Sequence, residues 1–226
     1  MKDLLFMRMF LLAIFFGAFI PVGAQAIQTA QIWNRIPIDG ASKIAEMLSD
    51  PTVGLEEKVE GVYRLGELSR DLVNRKDIPA SSLYNPILGV MVPQNNVKDH
   101  HVLRMAACNA LSRFSTIPGG DQVLPSIGRL VQNLDEHEEV RLEAARAVGK
   151  FYNSGAAAAE ILISALRKEL ERGPVANNVS VTTAIIQAIG GLREKNAFPV
   201  LMSVIKSNFP TGTKREAQKS LENIKW

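Results

Sequence analysis

The segment Val140-Arg141-Leu142-Glu143-Ala144-Ala145-Arg146-Ala147-Val148-Gly149-Lys150-Phe151 decides the fold. Val140, Ala144, Ala147, Val148 and Phe151 recur at helical spacing and define one buried stripe. Thirty-seven residues earlier the pattern stands as Leu103-Arg104-Met105-Ala106-Ala107-Cys108-Asn109-Ala110-Leu111-Ser112-Arg113-Phe114. Apolar, Arg, Ala and closing aromatic positions coincide. Forty-one residues after the first segment comes Val181-Thr182-Thr183-Ala184-Ile185-Ile186-Gln187-Ala188-Ile189-Gly190-Gly191-Leu192. Weaker copies run from Lys58 to Leu68 and from Lys214 to Ile224, and the four spacings average 39 residues. A fixed period of this size marks a chain built from repeated supersecondary units.

A further helix precedes each copy. Three of these carry proline: Asn85-Pro86-Ile87-Leu88, Leu124-Pro125-Ser126-Ile127 and Phe198-Pro199-Val200-Leu201. The prolines are 39 and 74 residues apart, one and two periods. Proline suits a first helical turn or kinks a helix further in. The remaining first helices are read at Ala41 to Leu48 and Ala156 to Leu170. Turn-forming residues separate them: Val92-Pro93-Gln94-Asn95-Asn96, Ile117-Pro118-Gly119-Gly120-Asp121 and Gly173-Pro174-Val175-Ala176-Asn177-Asn178. No alternating strand pattern of useful length occurs, so the expectation is all-α. Second helices are expected near 56–69, 101–114, 138–151, 180–192 and 213–224, within one repeat domain over 37–226.

Composition narrows the function. The 226 residues are 46% hydrophobic and 22% charged, an ordinary globular balance that argues against disorder. One cysteine, Cys108, excludes an intramolecular disulfide framework and a four-thiolate zinc site. The first 26 residues read as a secretory signal peptide: Lys2 and Arg8 precede the apolar run Met9 to Ile20, and Ala24-Gln25-Ala26 closes it. The apolar core is shorter than the ~20 residues of a membrane-spanning helix. The expected destination is therefore export, to a periplasm or beyond, with residues 27–36 as a lead-in. Without Lys2, Arg8 and Asp3, the 26 basic and 23 acidic residues become 24 and 22, a net of +2. No dense Lys/Arg stripe is present to neutralise phosphates, so nucleic acid is not an expected partner.

The pattern Val140-Arg141-x-x-Ala144-Ala145-x-Ala147-Val148-Gly149 and its copies, with the proline-bearing first helices, resembles HEAT repeats of the phycobilisome-lyase type. The resemblance covers residues 37 to 226. It implies a right-handed α-solenoid of about five helical hairpins, most members of which are binding scaffolds. It also implies that Arg104 and Arg141 pair with an acid of the adjoining repeat, for which Asp99, Asp135 and Glu136 are candidates. Lys58, Thr182 and Lys214 replace the arginine elsewhere, so any ladder is confined to the two middle copies. Di-iron deoxyhypusine hydroxylases carry His-Glu pairs in the same helix, but here those places hold Leu142-Glu143 and Met105-Ala106. That activity does not carry over, and bilin lyase activity has no support beyond the shared repeat.

In the repeat frame, the outer face of each second helix lines the concave side. The expected partner-binding set is Val59, Tyr63, Met105, Asn109, Arg113, Leu142, Arg146 and Lys150. Val59, Met105 and Leu142 form an apolar strip, with Tyr63, Arg113 and Arg146 beside it, and Tyr and Arg are favoured interface anchors. The competing reading places the strip under neighbouring repeats as core. The leading expectation is thus a non-enzymatic exported scaffold for a protein or peptide, without metal or cofactor. One alternative is a metal- or cofactor-dependent enzyme using His100, His101, His137 and Glu138. His100 and His137 stand 37 residues apart at matching places before a second helix, although polar residues there also serve as caps. A second alternative is a structural subunit of a cell-envelope assembly. Cys108, beside Ala107 and Leu111, is expected to be a buried, inert thiol. No phosphate loop or nucleophile elbow occurs.

Overall fold

Each amphipathic stretch winds into helix, and its apolar stripe becomes core. In the computed structural model, residues 36–92 and 100–224 are described; the leader at 1–26, residues 27–35 of the lead-in, the Pro93-Gln94-Asn95-Asn96 turn and Asp99 lie outside them. Among the described residues there are ten α-helices and no strands. They come in five successive pairs. The first pair is α1 (Ala41–Ser49) and α2 (Leu55–Leu68), and the second α3 (Ser81–Val90) and α4 (His100–Ser112). Next come α5 (Leu124–Gln132) with α6 (Glu138–Val148), and α7 (Gly155–Arg172) with α8 (Val179–Leu192). The last pair is α9 (Phe198–Lys206) and α10 (Thr211–Glu222). No helix among the described residues is long and apolar enough to cross a membrane.

Packing follows a regular order. Each helix lies against its pair mate, and the second helices contact one another in series: α2 on α4, α4 on α6, α6 on α8, α8 on α10. On the other side α1 meets α3, α5 meets α7, and α7 meets α9. Small residues let the second helices approach. A Cβ on Gly66 would stand 2.9 Å from both Cα and Cβ of Ala110, so α2 and α4 touch backbone to backbone there. A Cβ on Gly190 would stand 2.4 Å from Ser220 Oγ, which itself donates to the Ile186 carbonyl at 3.0 Å. The interior between the layers is apolar: Leu65, Leu83, Ile87, Leu111, Phe114, Ile127, Phe151, Leu162 and Ile163 are buried. Each such side chain contributes about 1.5–3 kcal/mol relative to exposure.

The prolines do not share one role. Pro125 and Pro199 occupy the first turn of α5 and α9, where a missing N–H costs nothing. Pro86 is interior to α3, because that helix already starts at Ser81. It therefore removes the bond that an amide there would make to the carbonyl four residues back.

Two arginine–carboxylate pairs cross between successive helix pairs. Arg104 Nη1 on α4 donates to Glu136 Oε2 at 2.5 Å, just before α6. Arg141 on α6 reaches Glu169 of α7, not Asp135, and both side chains are buried. Arg141 Nε and Nη2 also donate to the Val131 carbonyl at 3.2 and 3.0 Å. The other Glu169 oxygen accepts from Asn178 Nδ2 at 2.7 Å, and that nitrogen also donates to the Gly173 carbonyl at 2.9 Å. The network thus secures the turn that leads into α8.

Candidate functional site

Because the second helices contact in series, equivalent positions on α2, α4 and α6 fall on neighbouring helices. The eight residues of the expected partner face divide by burial. Tyr63, Arg146 and Lys150 are exposed, whereas Val59, Met105, Asn109, Leu142 and Arg113 are half-buried. Val59, Met105 and Leu142 are therefore neither core nor a fully open apolar strip. Polar contacts join the helices along this face. Asn109 Nδ2 donates to Glu143 Oε1 at 3.2 Å, and Arg146 Nη1 meets the other Glu143 oxygen at 3.4 Å. Lys150 Nζ lies 3.2 Å from Ser112 Oγ. Further along, Gln187 Nε2 donates to Glu216 Oε2 at 3.4 Å. An ion pair with an exposed arginine, such as Arg146–Glu143, is worth about 0–1 kcal/mol, so it leaves Arg146 free to change partners. Arg113 keeps its Nε buried without a hydrogen-bond partner. Glu143 stands outside the expected set, although its place three residues before Arg146 on the same helix is a visible signal.

A second constellation gathers at the N-termini of α4 and α6. The rings of His101 and His137 stack with centroids 4.2 Å apart and planes 17° from parallel. Glu139 Oε2 lies 3.8 Å from His101 Nε2. One ligand atom from each of His101, His137 and Glu139 falls within 4.8 Å of the others. Glu136 explains the register. Its Oε1 accepts the His137 backbone N–H at 2.7 Å while Oε2 holds Arg104, so one buried carboxylate ties α4 to the start of α6. His137 and Glu139 also line an open cleft with Leu134, Glu136, Glu138 and Arg172.

The remaining histidine is different. His100, the first residue of α4, is buried, and neither ring nitrogen has a hydrogen-bond partner among the described residues. Burial, and then the charges of Arg104 and Lys58, push its pKa below the ordinary imidazole value. Of the four residues considered for metal or cofactor chemistry, the structure brings His101 and His137 together, turns His100 into the core and leaves Glu138 outside the cluster. Glu139, not singled out in the sequence, supplies the carboxylate. Cys108 is fully buried, and burial pushes its thiol pKa far up, which leaves it protonated and unreactive.

No protein-family model matches the chain, and no curated protein matches it. Among solved structures, it is similar to an engineered protein known from a crystal structure. The two share 17% sequence identity, with a TM-score of 0.53 over 92% of this chain and 95% of the other. At that identity the likeness concerns the fold alone.

Proposed function

We propose that the chain is an exported, non-enzymatic scaffold of the HEAT type, a right-handed α-solenoid of about five helical hairpins. It binds a protein or peptide along the concave face of its second helices, in a periplasm or outside the cell. The observation that carries this reading is the serial contact of α2, α4, α6, α8 and α10. In support, Tyr63, Asn109 and Arg146 occupy equivalent positions on three successive second helices, and half-buried Val59, Met105 and Leu142 precede them by one turn on the same helices. A face with an exposed tyrosine, an exposed arginine and half-buried apolar side chains suits an extended partner. Arg113 and Lys150 extend the basic side of the face. The signal-like leader at 1–26 supports export.

The test compares capture of envelope proteins by the wild type and by the Met105→Ala/Leu142→Ala/Arg146→Ala variant. Removing two apolar anchors and one cation is expected to weaken capture at least tenfold, since hot-spot truncations cost about 2 kcal/mol or more each. The helical circular dichroism signal should persist. Equal capture by a folded variant rejects this face.

A further inference from the structure

We propose that His101, His137 and Glu139 form a binding site for a divalent transition-metal ion of the zinc class, clamping the second helix pair to the third. The donor set points to the ion. Two imidazoles and one carboxylate match the ligands of Zn2+ and its neighbours, whereas Mg2+ and Ca2+ prefer all-oxygen shells. Three protein ligands leave a fourth position for water, and His137 and Glu139 face an open cleft from which water can enter.

The geometry is close to what coordination needs. The three ligand atoms lie within 4.8 Å of one another. Tetrahedral ligands on bonds of 2.0–2.1 Å sit ~3.3 Å apart, so the side-chain tips must converge by ~1.5 Å. The side chains have room to turn, because His137 and Glu139 are exposed and His101 is half-buried. In doing so the rings give up their parallel stack and turn their lone pairs towards a common point. The backbone is already fixed: Glu136 holds the His137 amide and Arg104 together, so the ligands from α4 and from the start of α6 approach each other before any ion arrives. Helix capping does not account for the cluster, because the His137 side chain makes no cap hydrogen bond to α6.

The experiment is calorimetric titration of the purified chain, carrying no affinity tag, with Zn2+, followed by Co2+ absorption spectroscopy and thermal unfolding with and without Zn2+. One Zn2+ per chain, visible Co2+ bands of a four-coordinate site and a raised melting temperature are expected. His101→Ala and His137→Ala should each weaken Zn2+ binding about 100-fold or more, since loss of even an outer-shell partner costs about 10–100-fold. Glu139→Gln should weaken it less, and Glu138→Gln should leave it unchanged. Neither histidine is core, so both variants should keep the wild-type circular dichroism spectrum. Absence of stoichiometric Zn2+ binding overturns the proposal. So does undiminished binding by folded His101→Ala and His137→Ala, which places the ion elsewhere.

Discussion

Arg104 and Arg141 hold the same position in helices 37 residues apart, yet their surroundings differ. The Arg104 side chain is 11% exposed and meets one carboxylate, Glu136. The Arg141 side chain is 2% exposed and its partner Glu169 is 0% exposed, with Val131 and Asn178 completing the shell. The shared motif fixes where the guanidinium starts, while the acid that answers it fixes what it is worth. Arg104 keeps some contact with water, which can take over part of a lost partner's role. In the interior it cannot, so each donor and acceptor must be matched within the protein.

The largest effect should follow from breaking the inner pair. Glu169→Ala leaves a buried guanidinium without its counter-charge and takes away one of the two acceptors of Asn178 Nδ2. The expected loss is about 3–5 kcal/mol, a large part of a typical domain's stability of ~5–15 kcal/mol. Urea denaturation measures it. Replacing both charges, as Arg141→Met with Glu169→Leu, should recover most of the loss, because apolar packing substitutes for a buried pair. A loss below ~1 kcal/mol for Glu169→Ala would mean that solvent reaches the pair, and the contrast between the two junctions would collapse.

Glu136→Ala probes the outer pair. It removes the acceptor of both Arg104 and the His137 amide. Arg104 is less buried than Arg141, so the expected loss is smaller, about 1–2 kcal/mol by the same denaturation measurement. A loss equal to that of Glu169→Ala would show that burial does not rank these pairs.

These junctions also show what the sequence could reveal. The all-helical character was legible, because apolar spacing at i, i+3, i+4 and i+7 recurs from Val62 to Ala217 without strand alternation. An arginine–acid pair was legible in part for Arg104, since Glu136, two residues before α6, was among the three candidate acids. Glu169 was not. It sits 28 residues from Arg141 inside an otherwise exposed-looking charged stretch, Arg167-Lys168-Glu169-Leu170-Glu171-Arg172, and only packing shows which carboxylate faces inward. The histidines were legible only in part, for a related reason. Repeat register equates His100 with His137, but register names equivalent positions, whereas contact joins facing ones. Helix α4 begins at His100 and rotates it into the core, which leaves His101 to meet His137. Pro86 likewise matches the other prolines by period and not by place in its helix.

The smallest effect tests the same position where the arginine is missing. Thr182 on α8 stands where Arg104 and Arg141 stand, and it is fully buried with its hydroxyl unpaired. No carboxylate is needed there, but a hydroxyl stripped of water without a partner carries a desolvation cost. Thr182→Val keeps the branched shape and its restricted rotamer while removing that cost. The expected gain is about 0.5–1 kcal/mol, read as a rise of a few degrees in melting temperature. Thr183 provides the control within the same helix. Its hydroxyl lies 2.8 Å from the Val179 carbonyl and 3.1 Å from Thr213 Oγ1, so Thr183→Val should destabilise by about 0.5–1.5 kcal/mol. Opposite signs at adjacent threonines would show that this position rewards a satisfied group of either kind, a paired guanidinium or a plain methyl. Equal signs would mean that α8 responds to loss of a hydroxyl as such, and the ladder position would have no special standing.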